Sequence, residues 1–356
     1  MIGKPIPTYW SFKNHPWTRE MHDCWAERMV GQKAAQMGYT EAALNKAFYA
    51  IDVKRESVLY ILPARVPNAA NFSSSRFDPA IEASPYLGSL FTDVKNVGHK
   101  RAGIASLFIR GSKSKADLKS DPTAVMIFDE VEEMVQKHIP LAFERMSGQE
   151  EQHAFLLSTP TLVDHGINKW FKASNQKEWF FTCPFCSKLT RLTFPECLVI
   201  TAEDWYDASI RDSHYICREC EHILPQEGKM DFISNGQWVA KNDSIIEGYH
   251  INQMYSFTVQ PWQLAESYLK GQINQADEQE FFNSKLGLPH SPPGAQILDS
   301  HLDSCRSNYN QFESAQGGLI TMGVDVGMPK IHYEINQWFV DSRGNPDLDR
   351  DWETRN

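Results

Sequence analysis

No run of 18 or more apolar residues occurs in this 356-residue chain, so no membrane-spanning helix is expected. Its first residues, "MIGKPIPTYWSFKNHPW", lack the apolar stretch that a secretory signal requires. Internal repeats and low-complexity tracts are missing as well, and a repeat array is therefore not expected. Positive charge is short: the formal net charge is −10, which argues against a surface uniformly suited to nucleic acid. An even cysteine set is also lacking. The seven cysteines are Cys24, Cys183, Cys186, Cys197, Cys217, Cys220 and Cys305, an odd number that does not suit a disulfide framework. Two C-x-x-C pairs among them suit a reducing cytosol and a metal site. The absences together describe a protein that is neither secreted nor membrane-spanning.

What is present begins with a hydrophobic fraction of 42%, ample for a buried core and incompatible with a disordered chain. The length fits about two domains. Charge is uneven, because residues 95–119 hold seven Lys/Arg and one Asp. Such a strip, with Lys95, Lys100, Arg101, Lys113, Lys115 and Lys119, can touch phosphates on an otherwise acidic protein, or simply form a solvated loop.

Up to about residue 170, short apolar runs alternate with helical patterns, which reads as α/β with a largely parallel sheet. The expected strands are 27–32, 57–62, 104–109, 123–128 and 154–158. Between the first two, Ala43, Leu44, Ala47, Phe48 and Ile51 recur at helical spacing, with Thr40 as the expected N-cap. The expected domains are an α/β core over 1–175, a cysteine-rich insertion over 176–240, a return to the core with a linker over 241–315, and a further domain beginning at 316–356. "HSPPGAQI" reads as the linker.

The strongest catalytic signal is "TAVMIFDEVEE", where an apolar strand ends abruptly in Asp129-Glu130. Ligands of open α/β sheets sit at the carboxyl ends of strands. A carboxylate there can hold Mg²⁺, and its neighbour can orient and deprotonate a water attacking a γ-phosphate. The alternative is an acidic cap on the next helix. Upstream, "GQKAAQMGYTE" follows an expected strand and precedes an expected helix, the setting of a phosphate-binding loop. Gly38 supplies the tight turn, the helix-start amides of Tyr39 and Thr40 face anions, and the Thr40 hydroxyl can reach Mg²⁺. Lys33 stands at the front of the loop instead of beside the threonine, and its flexible stem can still bring an ammonium to the β- and γ-phosphates. A third strand, "FLLSTPT", ends in Ser158-Thr159, whose hydroxyls would lie beside the ATP-site strands, or merely close a turn.

Cys183-Pro-Phe-Cys186 and Cys217-Arg-Glu-Cys220 are two knuckles with 30 residues between them. Four thiolates leave no open coordination position, so a Zn²⁺ there is structural. Cys197 and His214 are not expected to be ligands, and Cys24 and Cys305 are expected to be ordinary thiols. Near the end, Asp325 interrupts the apolar strand "MGVDVG", where a carboxylate is costly unless it meets a metal or a partner.

These residues, taken in order, resemble the large terminase subunit of tailed bacteriophages of the lambda-like type. The likeness rests on the Lys-first loop Lys33–Thr40, the strand running into Asp129-Glu130, the two knuckles, and the segments "FSSSRFDPAIEASPYL", "GYHINQMYS", "FFNSKLGLP" and "GVDVG". The resemblance implies an ASCE-type P-loop NTPase with a mainly parallel sheet, an inserted four-cysteine zinc ribbon and the first strands of an RNase H-like nuclease. It implies ATP, Mg²⁺ and Zn²⁺ as cofactors, with Lys33 and Thr40 on phosphate and Mg²⁺, Asp129 on Mg²⁺, Glu130 as catalytic base and Ser158-Thr159 as the coupling motif. Arg76 is its candidate transition-state arginine, with Arg65 and Arg110 as alternatives, and Asp325 its candidate nuclease metal ligand. The implied partners are double-stranded DNA, a terminase small subunit, the portal and procapsid, and further copies of the chain, in the host cytoplasm with no membrane. Because Asn356 follows Asp325 closely, nuclease action by this chain alone is not expected. Competing readings are a helicase-type ATPase and a zinc-ribbon nucleic-acid-binding prophage remnant without motor activity.

Overall fold

The computed structural model describes residues 10–118 and 122–291, and beyond them the backbone of three strands. Two compact units, residues 1–292 and 293–356, divide the chain.

In the first unit α1 (Thr18–Asp23) leads into β1 (Arg28–Lys33), the phosphate-loop stretch and α2 (Tyr39–Tyr49). Then follow β2 (Val58–Leu62), β3 (Val94–Asn96), β4 (His99–Ala102), β5 (Ala105–Gly111), β6 (Val125–Asp129) and β7 (His153–Ser158). After α3 (Gly166–Lys172) come β8 (Lys177–Thr182), β9 (Leu189–Thr190), β10 (Leu198–Val199), β11 (His214–Ile216), β12 (Ile223–Leu224), β13 (Gln237–Val239) and β14 (Ile246–Ile251). Helices α4 (Pro261–Gly271) and α5 (Gln275–Glu280) precede a last helical turn, Phe281–Lys285.

The main sheet runs β13-β8-β14-β1-β7-β6-β2-β5-β4-β3. From β8 to β5 every neighbouring pair is parallel, whereas β13, β4 and β3 pair antiparallel at the two edges. Parallel strands need crossovers on both faces, so their residues are buried on both sides. Accordingly β2, β6 and β7 have no exposed position. Alternation then sorts the side chains into two cores. Val58, Tyr60, Val125, Ile127, Phe155 and Leu157 join the cluster under α2, while Leu59, Ile61, Met126, Phe128, Ala154 and Leu156 join the one on the other face. The same parity carries Asp129, two residues past Ile127, to the α2 side.

All five expected strands are present within a residue or two of their expected ends. Thr40 is not the N-cap: Gly38, in the left-handed region at φ +82°, caps α2, and Thr40 sits in its first turn. Within 176–240, β8 and β13 extend the edge of the main sheet, and β10-β11-β12 form a small sheet of their own. Cys305, Lys119 and most of the expected linker lie outside the described residues.

In the second unit β15 (Leu319–Val326) and β16 (Ile331–Trp338) form an antiparallel hairpin, with β17 (Thr354–Arg355) beside β16. Asp325 lies on β15 opposite His332.

Candidate active site

Three neighbouring parallel strands end at one place. β7 lies between β1 and β6, so the loops after Lys33, Ser158 and Asp129 emerge side by side at the carboxyl edge. They open on a cleft of about 600 Å³ whose lining includes Lys33, Gly38, Thr40, Asp129, Glu130 and Thr159.

The loop is shaped by what its glycines leave out. A Cβ on Gly31 would sit 2.7 Å from the Tyr39 ring, and one on Gly38 would sit 2.9 Å from the His15 ring. Trp17 Nε1 donates to the Met37 carbonyl at 2.9 Å and holds the loop from the N-terminal side. The Tyr39 side chain is itself buried against Gly31, with its hydroxyl unpartnered, so of the expected cofactor contacts this residue offers only its backbone. That backbone belongs to the first turn of α2, whose amides have no intrahelical acceptor and face anions. Gly38→Ala is expected to lower stability by about 1–2 kcal/mol through the left-handed φ, and to raise the KM for ATP as His15 is displaced. Denaturant midpoints and initial rates measure the two effects, and a variant unchanged in both would remove this account of the loop.

Lys33, the last residue of β1, is 7% exposed, and its Nζ lies 3.4 Å from Thr159 Oγ1. The Thr40 hydroxyl lies 3.5 Å from Asp129 Oδ1, and the Tyr60 hydroxyl donates to Asp129 Oδ2 at 2.7 Å. Burial, then the neighbouring Glu130 carboxylate, push the Asp129 pKa up to about 6, against the opposing pull of Tyr60, Lys33 and Thr40. A buried carboxylate crowded by a second one fits a divalent cation, and the threonine hydroxyl beside it is a further hard oxygen of the kind Mg²⁺ takes. Glu130 adopts φ +65°, ψ +52°, a left-handed conformation uncommon for a non-glycine residue. Its N–H is fixed to the Leu157 carbonyl at 3.0 Å, which tilts the residue out of the strand into the cleft mouth. Such strain, of about 1–3 kcal/mol, persists only where the surroundings impose it. Ser158 is fully buried; its hydroxyl accepts from the Glu132 N–H at 3.2 Å and donates to the Thr159 carbonyl.

Arg76 lines the same cleft, half exposed and paired with Glu41 of α2 at 2.8 Å. Arg65 pairs with Asp117 and the Arg110 guanidinium with the Gly98 carbonyl, and neither is among the residues that line the cleft. Tyr60 was missed by sequence reasoning. Its signal was a lone hydroxyl in the otherwise apolar run "VLYIL", on the strand next to the one ending in Asp129. Glu132 was missed too, standing unremarked in the stretch "TAVMIFDEVEE".

The four sulfurs of Cys183, Cys186, Cys217 and Cys220 lie within 4.8 Å of one another. A tetrahedral zinc with Zn–S of about 2.3 Å requires sulfurs about 3.8 Å apart, so the set fits. The two knuckles repeat one geometry. Phe185 N–H and Glu219 N–H each lie 3.4 Å from the first sulfur of their knuckle, and Ser187 and Glu221, in equivalent places, both have positive φ. Cys197 is buried elsewhere, its thiol directed to the Arg191 carbonyl, and neither it nor His214 joins the group. The side chain of Asp325 lies outside the described residues.

Among the expected phosphate-contacting residues Lys100 is a correction. It is 1% exposed and bonded to Asp78 at 2.6 Å, because the β4–β5 hairpin folds its side chain inward. Arg101, Lys113 and Lys115 are exposed, and the side chains of Lys95 and Lys119 lie outside the described residues.

Fold and cleft together define a nucleotide hydrolase of the ASCE class, with a strand between the phosphate-loop strand and the Asp-Glu strand. Residues 4–238 match the family model "Phage terminase large subunit gpA, ATPase domain", and residues 246–343 match "Terminase large subunit gpA, endonuclease domain". The chain belongs to the phage terminase large subunit gpA family. The endonuclease match begins at 246, upstream of the boundary at 316 read from the sequence, although β14 (Ile246–Ile251) lies beside β1 within the main sheet.

Solved structures resemble it distantly. The ATPase domain of the large terminase of Thermus phage P74-26 is 15% identical over 76% of this chain and 91% of its own, with a TM-score of 0.44. The HK97 bacteriophage large terminase is 11% identical over 96% of this chain and 62% of its own, with a TM-score of 0.45. The Phi-28 gp11 DNA packaging motor is 10% identical over 90% of this chain and 80% of its own, with a TM-score of 0.32. No curated protein sequence matches the chain. Among the described residues no helix is long and apolar enough to cross a membrane.

Proposed function

We propose that the chain hydrolyses ATP to drive double-stranded DNA into a viral procapsid, and that Lys33, Thr40, Asp129, Glu130 and Ser158-Thr159 do the chemistry. The observation that carries this reading is the convergence of Lys33, Asp129, Glu130 and Thr159, from three adjacent strand ends, with Thr40 of α2 on one cleft. Lys33 and the first-turn amides of α2 bind the β- and γ-phosphates. Thr40 and Asp129 hold Mg²⁺, which when bound neutralises charge on the phosphate oxygens. Glu130 orients a water and takes its proton as the oxygen attacks the γ-phosphorus and the bond to the β–γ bridging oxygen breaks. Arg76, which lines the cleft, serves the transition state once it leaves Glu41. Cys183, Cys186, Cys217 and Cys220 hold a structural Zn²⁺.

The exposed Arg101, Lys113 and Lys115 meet DNA phosphates, which gives binding that tolerates sequence and weakens with salt. Family membership supports a small subunit, a portal and procapsid, and further copies of this chain as partners in the host cytoplasm. Asp325 is assigned to a nuclease metal site in the second unit. The test is ATP turnover with and without linear duplex DNA across a salt series. DNA should raise turnover several-fold at low salt, and the gain should fade as salt rises through about 0.2 M. Wild-type protein without measurable turnover in either condition would end the motor reading.

A further inference from the structure

The Glu132 side chain is only 4% exposed, yet four donors converge on its carboxylate. They are the Thr161 N–H at 3.0 Å, the Thr161 hydroxyl, His165 Nδ1 at 3.1 Å and the Ile167 N–H at 3.0 Å. Burial alone would raise its pKa, but these bonds outweigh burial and hold it below the usual value. Gly166, at φ +47°, is where the carboxylate fits, since any Cβ there would overlap it. Glu132 belongs to the short turn that starts at Glu130, and its own N–H reaches the Ser158 hydroxyl. One residue therefore fixes both the turn carrying the proposed base and the loop after β7.

Thr161 faces the other way as well. Its carbonyl accepts from Asn283 Nδ2 at 3.0 Å and from the His290 N–H at 2.9 Å. Asn283 is 6% exposed and also donates to the Leu288 carbonyl at 2.8 Å. The same segment grips the phosphate loop from behind. Ala35 N–H donates to the Ser284 carbonyl at 2.8 Å and Gln32 Nε2 to the Gly287 carbonyl at 2.9 Å. A Cβ on Gly287 would meet the Ala34 nitrogen at 2.5 Å, so contact is backbone to backbone. Residues 281–290 are thus bonded to the phosphate loop on one side and to the catalytic turn, through Thr161 and Glu132, on the other. The first unit ends just after them, at Pro292.

We propose that Glu132 and Asn283 are positioning residues which, through Thr161, pass the nucleotide state of the cleft to segment 281–290 at the end of the first unit. The inference rests on the nucleotide-site reading above. A closed circuit of short bonds has few intermediate arrangements, so a shift at the Glu130 turn must be shared with 283–290 or break a buried bond.

The test is hydrogen exchange of the full chain with and without Mg²⁺ and ATPγS, joined to steady-state kinetics. In wild type the nucleotide slows exchange in both 31–40 and 283–291. Glu132→Gln and Asn283→Ala keep the first response and lose the second, with kcat down about tenfold and KM within about twofold. Thr161→Val, which removes only the hydroxyl, gives the same split if Glu132→Gln does not fold. Variants in which 283–291 still responds as in wild type would overturn the proposal, as would a wild type that responds at 31–40 alone. Absence of protection at 31–40 itself would remove the nucleotide-site reading and this inference with it.

Discussion

Glu130→Gln should reduce kcat for ATP hydrolysis by about a hundredfold to ten-thousandfold while leaving Mg–ATP affinity within about threefold. The substitution keeps the size and hydrogen-bonding reach of the side chain and removes only its capacity to take a proton. Folding should be nearly unaffected, since the feature that holds residue 130 is its N–H bond to the Leu157 carbonyl, which the variant retains. Binding should be preserved for an electrostatic reason. The Glu130 charge is one of the forces that raise the Asp129 pKa, so its removal eases Asp129 toward the ionised form that Mg²⁺ requires. A fluorescent-nucleotide titration and a phosphate-release assay measure the two quantities. Wild-type turnover in the variant would strip Glu130 of its role and move the base elsewhere in the cleft. Loss of binding in step with turnover would mean that the residue holds the nucleotide and does not activate water.

The parts of this site that could be read in the sequence are those encoded by one local pattern. A continuous apolar run ending in two acids marks a buried parallel strand that stops at the ligand edge, and Val125–Asp129 is such a strand. A glycine-containing loop between strand and helix was equally legible, as was the pairing of two C-x-x-C knuckles. What escaped depends on strand order or on distant contacts. Tyr60 reaches Asp129 because β2 lies next to β6, and Asn283 reaches Thr161 across more than a hundred residues of chain. Neither adjacency has a local signature. Lys100 was misread for a related reason: composition marks a basic strip, but only the hairpin's fold shows that this lysine turns inward to Asp78. That strands β8 and β13 of the expected insertion join the edge of the large sheet has no local signature either.

Zinc removal should have the other large effect, and a graded one. The strands of the small sheet are two or three residues long, too short to persist on backbone pairing alone. Its order must come from side-chain packing and from the four thiolates, and structural zinc contributes about 10–16 kcal/mol in comparable small modules. Metal analysis of the wild type should give about one zinc per chain. Cys217→Ser should abolish it and open residues 183–224 to proteolysis and hydrogen exchange. The damage should not stop at the knuckles. Asn252 Nδ2 donates to the Leu192 carbonyl at 2.9 Å, and the Leu192 N–H donates to the Tyr255 hydroxyl at 2.8 Å, which sews the module onto the segment after β14. β14 in turn pairs with β1 up to Lys33. The variant should therefore bind ATP more weakly than the wild type while β2 and β6, which pair with neither β14 nor β1, keep their protection. A metal-free protein with unchanged exchange over 183–224 would show that packing alone holds the knuckles, and the zinc assignment would fall.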